Sequence, residues 1–141
     1  MDKKSENSTN QAISLMFSVN RIIKERGGSG STKSFSRLNL ETLRYIKEKQ
    51  PLMKEVADYL CVTPPSATAL INNLVEQNLV ERVADKEDRR IVRLDITQHG
   101  KKELKDGIDE LAGRMKKILS FLDDKEKENL IKILEKISTN N

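Results

Sequence analysis

Residues 53–77 read "MKEVADYLCVTPPSATALINNLVEQ", and their spacing predicts two short helices joined by a tight turn. Val56, Ala57 and Leu60 make one apolar face and Ala67, Leu70, Ile71 and Leu74 a second, each at the three- and four-residue intervals that bring side chains together on a helix. Thr63 suits the N-cap of the second helix and Pro64 its first position. Pro65 is tolerated because a first-turn N–H has no intrahelical partner to lose. The residue before a proline avoids the α region, so Thr63 marks a firm boundary. Small Ala57 where the helices approach, and small Cys61 expected as a buried packing residue in the turn, complete helix-turn-helix spacing. An ordinary αα-corner in a helical bundle has the same spacing, so this stretch alone leaves both readings open.

The residues that follow favour DNA. "LVERVA" (79–84) and "IVRLDIT" (91–97) are β-prone, and in the second Val92, Leu94 and Ile96 alternate with Arg93 and Asp95 as in a half-buried strand. Between them lies "DKEDRR" (85–90), six charged residues where a hairpin tip is expected. A helix-turn-helix followed directly by a hairpin is a winged helix. Arg89 or Arg90 at the wing tip can enter a minor groove, where negative potential concentrates. Asp85, Glu87 and Asp88 repel phosphate, but Asp88 can hold an arginine in place through a charge-assisted hydrogen bond. The alternative is a solubilising loop whose charges compensate one another.

Working outward, "NQAISLMFSVNRIIKERG" (10–27) has apolar residues at 12, 16, 19 and 23 and again at 13 and 17, a helix with a wide apolar face. "GGSGST" (27–32) is then expected as a flexible connection to about Phe35. "LNLETLRYIKEKQ" (38–50) reads as a helix with Asn39 as N-cap, Glu41 in its first turn, a Leu38–Leu43 staple, and Pro51 as its stop. After the wing, Leu104, Ile108, Leu111, Met115, Ile118 and Leu122 form a heptad-like seam, and Leu130, Leu134 and Ile137 mark a last helix. The expected fold class is mainly α with a small β-hairpin wing, one domain over 1–141. The winged helix covers about 38–98, and helices at about 10–26 and 99–138 form a dimerisation region.

Composition excludes several function classes. With 34% charged residues, 4% aromatics and no Trp, the core must be aliphatic. No apolar run approaches a membrane span and the polar start "MDKKSENSTN" has no leader-like apolar region, so a cytoplasmic location without membrane contact is expected. One Cys and one His cannot make an intrachain disulfide or a Cys/His zinc site, so no metal and no cofactor is expected. His99 falls at the start of the long helix. The same scarcity, with no Gly-rich phosphate loop and no nucleophile–base pair, argues against an enzyme. Residues 1–54 hold 11 Lys/Arg against 5 Asp/Glu, a net +6, while residues 55–141 carry −2. That basic bias suits either nucleic acid or a solvated helical surface.

Through "LNLETLRYI", "KEVADYLCVTPPSATALINNLVEQNLVER" and "DKEDRRIVRLDITQHGKKEL", about residues 38–104, the sequence resembles the MarR family of transcriptional regulators. The wing pattern D-x-x-D-R-R and "ITQHG", where members commonly read L-T-x-x-G, carry the likeness. ArsR-like and PadR-like winged helices are the nearest alternatives, and the long helical pair after the wing fits MarR better than ArsR. Leu52 stands where members often have Ser or Thr, and Cys61 where Gly is usual. The resemblance implies a homodimeric DNA-binding regulator, mostly repressing, whose recognition helix begins at Pro64 and whose Arg90 reaches a minor groove. It also implies a small-molecule effector site between the dimerisation region and the winged helix, although no residue set here names a ligand.

The recognition helix can also be read physically. Pro65, Ser66, Thr68, Ala69, Asn72 and Asn73 lie off its apolar stripe, and no Lys or Arg occurs between 55 and 81, so bidentate arginine readout of guanine is not expected from this helix. Asn72 can pair with adenine, Thr68 and Ala69 can meet thymine methyls, and Ser66 can contact a base or a phosphate. An A·T-rich site follows, with Ser36, Arg37 and Thr63 as candidate phosphate contacts. One small domain cannot easily cover its first, long and last helices together, so the termini are expected to intertwine across a two-fold axis over a pseudo-palindromic operator. A winged helix that binds protein without specific DNA contact is the alternative.

Overall fold

The computed structural model describes residues 2–27 and 36–140; the side chain of Arg26 and the expected connection at 28–35 lie outside it. In chain order the elements are α1 (Lys3–Gly27), α2 (Arg37–Lys49), α3 (Met53–Leu60), α4 (Pro64–Glu76), β1 (Val80–Ala84), β2 (Val92–Ile96), α5 (Gln98–Leu119) and α6 (Asp124–Thr139). They fall into two compact units, one of residues 32–110 and the other of 1–31 with 111–141. Among the described residues no helix is long and apolar enough to cross a membrane.

The unit of residues 32–110 is built by local signals that agree with its core. α2 starts at Arg37, not Leu40, because Ser36 is the cap: its hydroxyl accepts the Asn39 N–H at 3.2 Å. Asn39 is therefore inside the first turn, Glu41 falls beyond it, and with Ser36 as the cap Leu38 and Leu43 no longer hold the two staple positions. Leu40, Leu43 and Ile46 turn inward, and Thr42, fully buried, satisfies its hydroxyl on the Leu38 carbonyl at 2.7 Å. The missing cap of α3 has a substitute, since the Glu55 carboxylate accepts the Leu52 N–H at 2.8 Å. Tyr45 of α2 and Tyr59 of α3 stack with ring centroids 3.9 Å apart. Thr63 caps α4 as its sequence indicates, accepting the Ser66 N–H.

Cys61 corrects the sequence reading. It is exposed and closes α3 at φ 54°, so its place in the turn is a backbone role in the left-handed region and not a packing one. Gln50 at φ 44° closes α2 and Asn78 at φ 58° follows α4 in the same way.

β1 and β2 pair antiparallel with Val80 opposite Ile96, Arg82 opposite Leu94 and Ala84 opposite Val92. Val80, Leu94 and Ile96 face the core, joining Leu43, Ile46, Val56, Ile71, Leu74, Leu79 and Leu104 in one all-aliphatic cluster. A further backbone bond, from Leu94 N–H to the Pro51 carbonyl at 2.9 Å, ties β2 to the link between α2 and α3. The "ITQHG" stretch has a mechanical explanation. The Thr97 hydroxyl donates to the Asn78 carbonyl at 2.6 Å and accepts the Gly100 N–H at 2.9 Å, which fixes the start of α5 beneath the wing. Gly100 is buried, and a Cβ there would meet the Leu79 carbonyl oxygen at 2.1 Å, so only glycine fits.

In the other unit, α6 opens with a reciprocal capping box: Asp123 accepts the Glu126 N–H at 2.8 Å and Glu126 accepts the Asp123 N–H at 2.9 Å. No residue of α6 is buried. Leu15, Met16 and Phe17 of α1 and Ile131, Ile133 and Leu134 of α6 are all more than half exposed in the single chain. Leu122 lies past the end of α5 at Leu119, so the seam read from the sequence continues as helix only to Ile118.

Candidate nucleic-acid interface

With Ala67, Ile71 and Leu74 buried, α4 exposes Pro65, Ser66, Thr68, Ala69, Asn72 and Asn73, all the residues read as candidates. Several are held by local bonds. The Thr63 hydroxyl donates to Ser66 Oγ at 2.9 Å, and Thr68 Oγ1 donates to the Pro64 carbonyl at 3.0 Å, fixing its rotamer at the helix surface. Asn73 Oδ1 accepts from Gln77. Ser36 and Arg37 are exposed at the start of α2, with Ser36 Oγ already engaged as the cap.

The wing tip explains its own acids. Asp85 accepts the N–H groups of Glu87 and Asp88, each at 3.1 Å, and pairs with Arg93 of β2. The Arg93 hydrogen bond, followed by those two N–H groups, holds the Asp85 carboxyl below its ordinary pKa, and the same bond raises Arg93. Arg93 also donates to the Gln50 carbonyl at 3.3 Å, and Gln50 Nε2 donates to Asp95 at 2.9 Å. The base of the wing is thus tied to the end of α2. Asp88 accepts Nε and Nη2 of Arg90 at 3.1 Å each, and its carboxyl is lowered chiefly by that arginine. The Arg90 side chain is 90% exposed, so it is oriented without being covered. Arg89 is exposed beside it.

Sequence reasoning missed Arg82. It lies on β1, outside the recognition helix, yet its Nη2 donates to Asn72 Oδ1 of α4 at 2.7 Å. Position 82 lies two residues after buried Val80 on the inward side of β1, and that period could have flagged it. Gln50, Asp85 and Arg93 were missed as well, because bonds spanning 8 and 43 residues leave no local pattern. Among the described residues no group of three or more His, Cys, Asp or Glu is placed to hold a metal ion.

A sequence model described as MarR family matches residues 34–91. An HTH-type transcriptional regulator of Bacillus subtilis (strain 168), YpoP, is 33% identical over 106 residues, covering 74% of this chain and 75% of that protein. The chain belongs to the MarR family. Another member similar to it, the B. subtilis HTH-type transcriptional repressor MdtR, is 29% identical over 118 residues, 81% of this chain and 74% of its own. The crystal structure of the transcriptional regulator BldR from Sulfolobus solfataricus superposes with a TM-score of 0.72 and 26% identity over the whole of both chains. These MarR relatives are transcriptional regulators and not enzymes, and this chain is a winged-helix regulator of the same kind.

Proposed function

We propose that this MarR-family regulator is a homodimeric repressor that binds a pseudo-palindromic operator in double-stranded DNA. α4 would lie in the major groove, Arg90 in the flanking minor groove, and Ser36, Arg37 and Thr63 against phosphates. The observation that carries the reading is the pairing of an exposed, uninterrupted face of small and polar residues on α4 with a wing arginine that is both oriented by Asp88 and open to solvent. An arginine whose direction is already set loses less freedom when it enters a groove.

A dimer is supported by the many large apolar side chains that α1 and α6 leave exposed in the single chain, since burying them against a partner is favourable. Two α4 helices would then read half-sites roughly 34–36 Å apart. Thr68 and Ala69 suit thymine methyls, which favours an A·T-rich half-site. Repression follows from a dimer seated over a promoter, and MdtR, a relative, is named a repressor. A small-molecule effector would release the operator by binding the two arrangements of the reading heads with different affinity.

Selection from a random double-stranded DNA pool at physiological salt, with wild type and Arg90→Ala in parallel, tests the proposal. An enriched inverted repeat, bound more weakly by Arg90→Ala, is the expected result. No enrichment, with binding that is insensitive between about 50 and 200 mM salt, would point to a protein-binding winged helix instead.

A further inference from the structure

The α4 face has no cation of its own, and the fold supplies one from elsewhere in the chain. Arg82 is opposite Leu94 in the hairpin, on the side that carries buried Val80 and Ile96 and ends in exposed Ala84 and Val92. It therefore stands at the margin of the core, where its stem can lie on apolar surface while its head emerges. The head goes to α4, with Nη2 on Asn72 Oδ1 at 2.7 Å. Asn72 shares its helix face with Pro65, Thr68 and Ala69, lying seven, four and three residues after them, so the guanidinium joins the surface that faces the groove.

We propose that Arg82 is a specificity-determining residue that reads a guanine in each half-site, and that Asn72 is its positioning residue. The inference rests on the operator-binding function proposed above and refines the A·T-rich reading by one G·C pair. A guanidinium has five N–H donors, and one bond to Asn72 fixes its direction while leaving donors for the O6 and N7 acceptors of guanine. Asn72 Oδ1 already accepts from Arg82, so pairing with adenine would have to share that oxygen. The location also argues for a base over a phosphate. The phosphate candidates Ser36, Arg37 and Thr63 are at helix starts, whereas Asn72 lies in the third turn of α4, on the exposed face it shares with Thr68 and Ala69.

The test measures binding of the full chain to the selected operator and to every single-base-pair variant of it, by fluorescence anisotropy at two salt concentrations. Wild type, Arg82→Ala, Arg82→Lys and Asn72→Ala are compared, with circular dichroism melts confirming folding. Wild type should prefer guanine at one symmetric position by roughly 5- to 150-fold. Arg82→Ala should erase that preference and keep the others. Arg82→Lys should also erase most of it while preserving the salt dependence, because an ammonium keeps the charge without the bidentate fork. Asn72→Ala should weaken the same position and add nothing there in the Arg82→Ala background.

An unchanged base profile in Arg82→Ala overturns the inference, as does a uniform loss across all variants with a salt slope smaller by about one, the behaviour of a phosphate contact. Loss of an adenine preference in Asn72→Ala overturns its positioning role. If wild type selects no operator, the function proposed above fails and this inference with it, an outcome plainly different from wild-type selection with an indifferent Arg82.

Discussion

Asp88 grips Arg90 through both oxygens, with Nε and Nη2 each 3.1 Å away, at the tip of a wing that is otherwise open. A purely electrostatic account predicts that removing this acid strengthens binding to a polyanion. The geometry predicts the opposite. Asp88→Ala should weaken operator binding roughly tenfold, since the arginine then has to be ordered at the moment of contact. Titration against the selected operator checks this, and stronger binding would show that orientation does not matter.

The base of the wing should be acid-sensitive. Asp85 has its carboxyl below the ordinary 3.8 because its ionised form accepts the Arg93 bond and two N–H groups. A group lowered on folding contributes stability that is present above its unfolded pKa and is lost as pH falls through the folded value. The wild-type wing should hold to below pH 3.8 and then loosen. In Asp85→Asn the anchor is weakened at every pH, and this source of acid dependence disappears. Side-chain NMR of Arg93 Nε–H across a pH series would show it, and a wing that loosens at neutral pH would contradict it.

Gly100→Ala should destabilise the chain by about 1–3 kcal/mol or more, because the added methyl meets a backbone oxygen that cannot rotate away. Urea melts give the value. An unchanged midpoint would mean that α5 shifts freely over the Leu79 carbonyl.

Cys61→Gly should move stability the other way. At φ 54° a side chain costs about 1–2 kcal/mol that glycine does not, set against about 0.5–1 kcal/mol of extra chain entropy, so a gain of up to about 1.5 kcal/mol is expected. Thermal denaturation of the two proteins under reducing conditions decides between them.

Phe17 is 70% exposed and Leu134 55% in the single chain. Phe17→Glu combined with Leu134→Lys should yield monomers at micromolar concentration by light scattering, while the winged-helix unit keeps its helical signal. A dimer that survives both changes would remove these faces from the interface.

Much of the fold was legible because its signals are local. Thr63-Pro64 fixed one boundary, alternation at Val92, Leu94 and Ile96 fixed a strand, and intervals of three and four fixed the buried side of α4. The errors also have local causes. Asn39 and Ser36 are both good caps, and choosing between them depends on Leu40 docking in the core. Cys61 reads as a small apolar residue until its φ is known. At the interface, the candidates on α4 were visible because they are what remains after the apolar stripe is removed. Arg82 was not, because its partner on α4 lies across a helix end and a turn; the period of β1 marks its inward side but does not name Asn72 as the group it meets.

One bond in the winged-helix unit has a kinetic consequence. Leu94 N–H reaches the Pro51 carbonyl across 43 residues of chain, and it can form only when α2, the link to α3 and β2 have already met. The chain must close a long loop before this contact rewards it, so the wing should be among the last parts of the unit to form. Its Leu94 amide proton should then exchange whenever the wing parts from the link between α2 and α3, without unfolding of the whole unit. That single amide would serve as the gauge of wing opening, recording from the rim of the sheet how often the wing lets go of the helices.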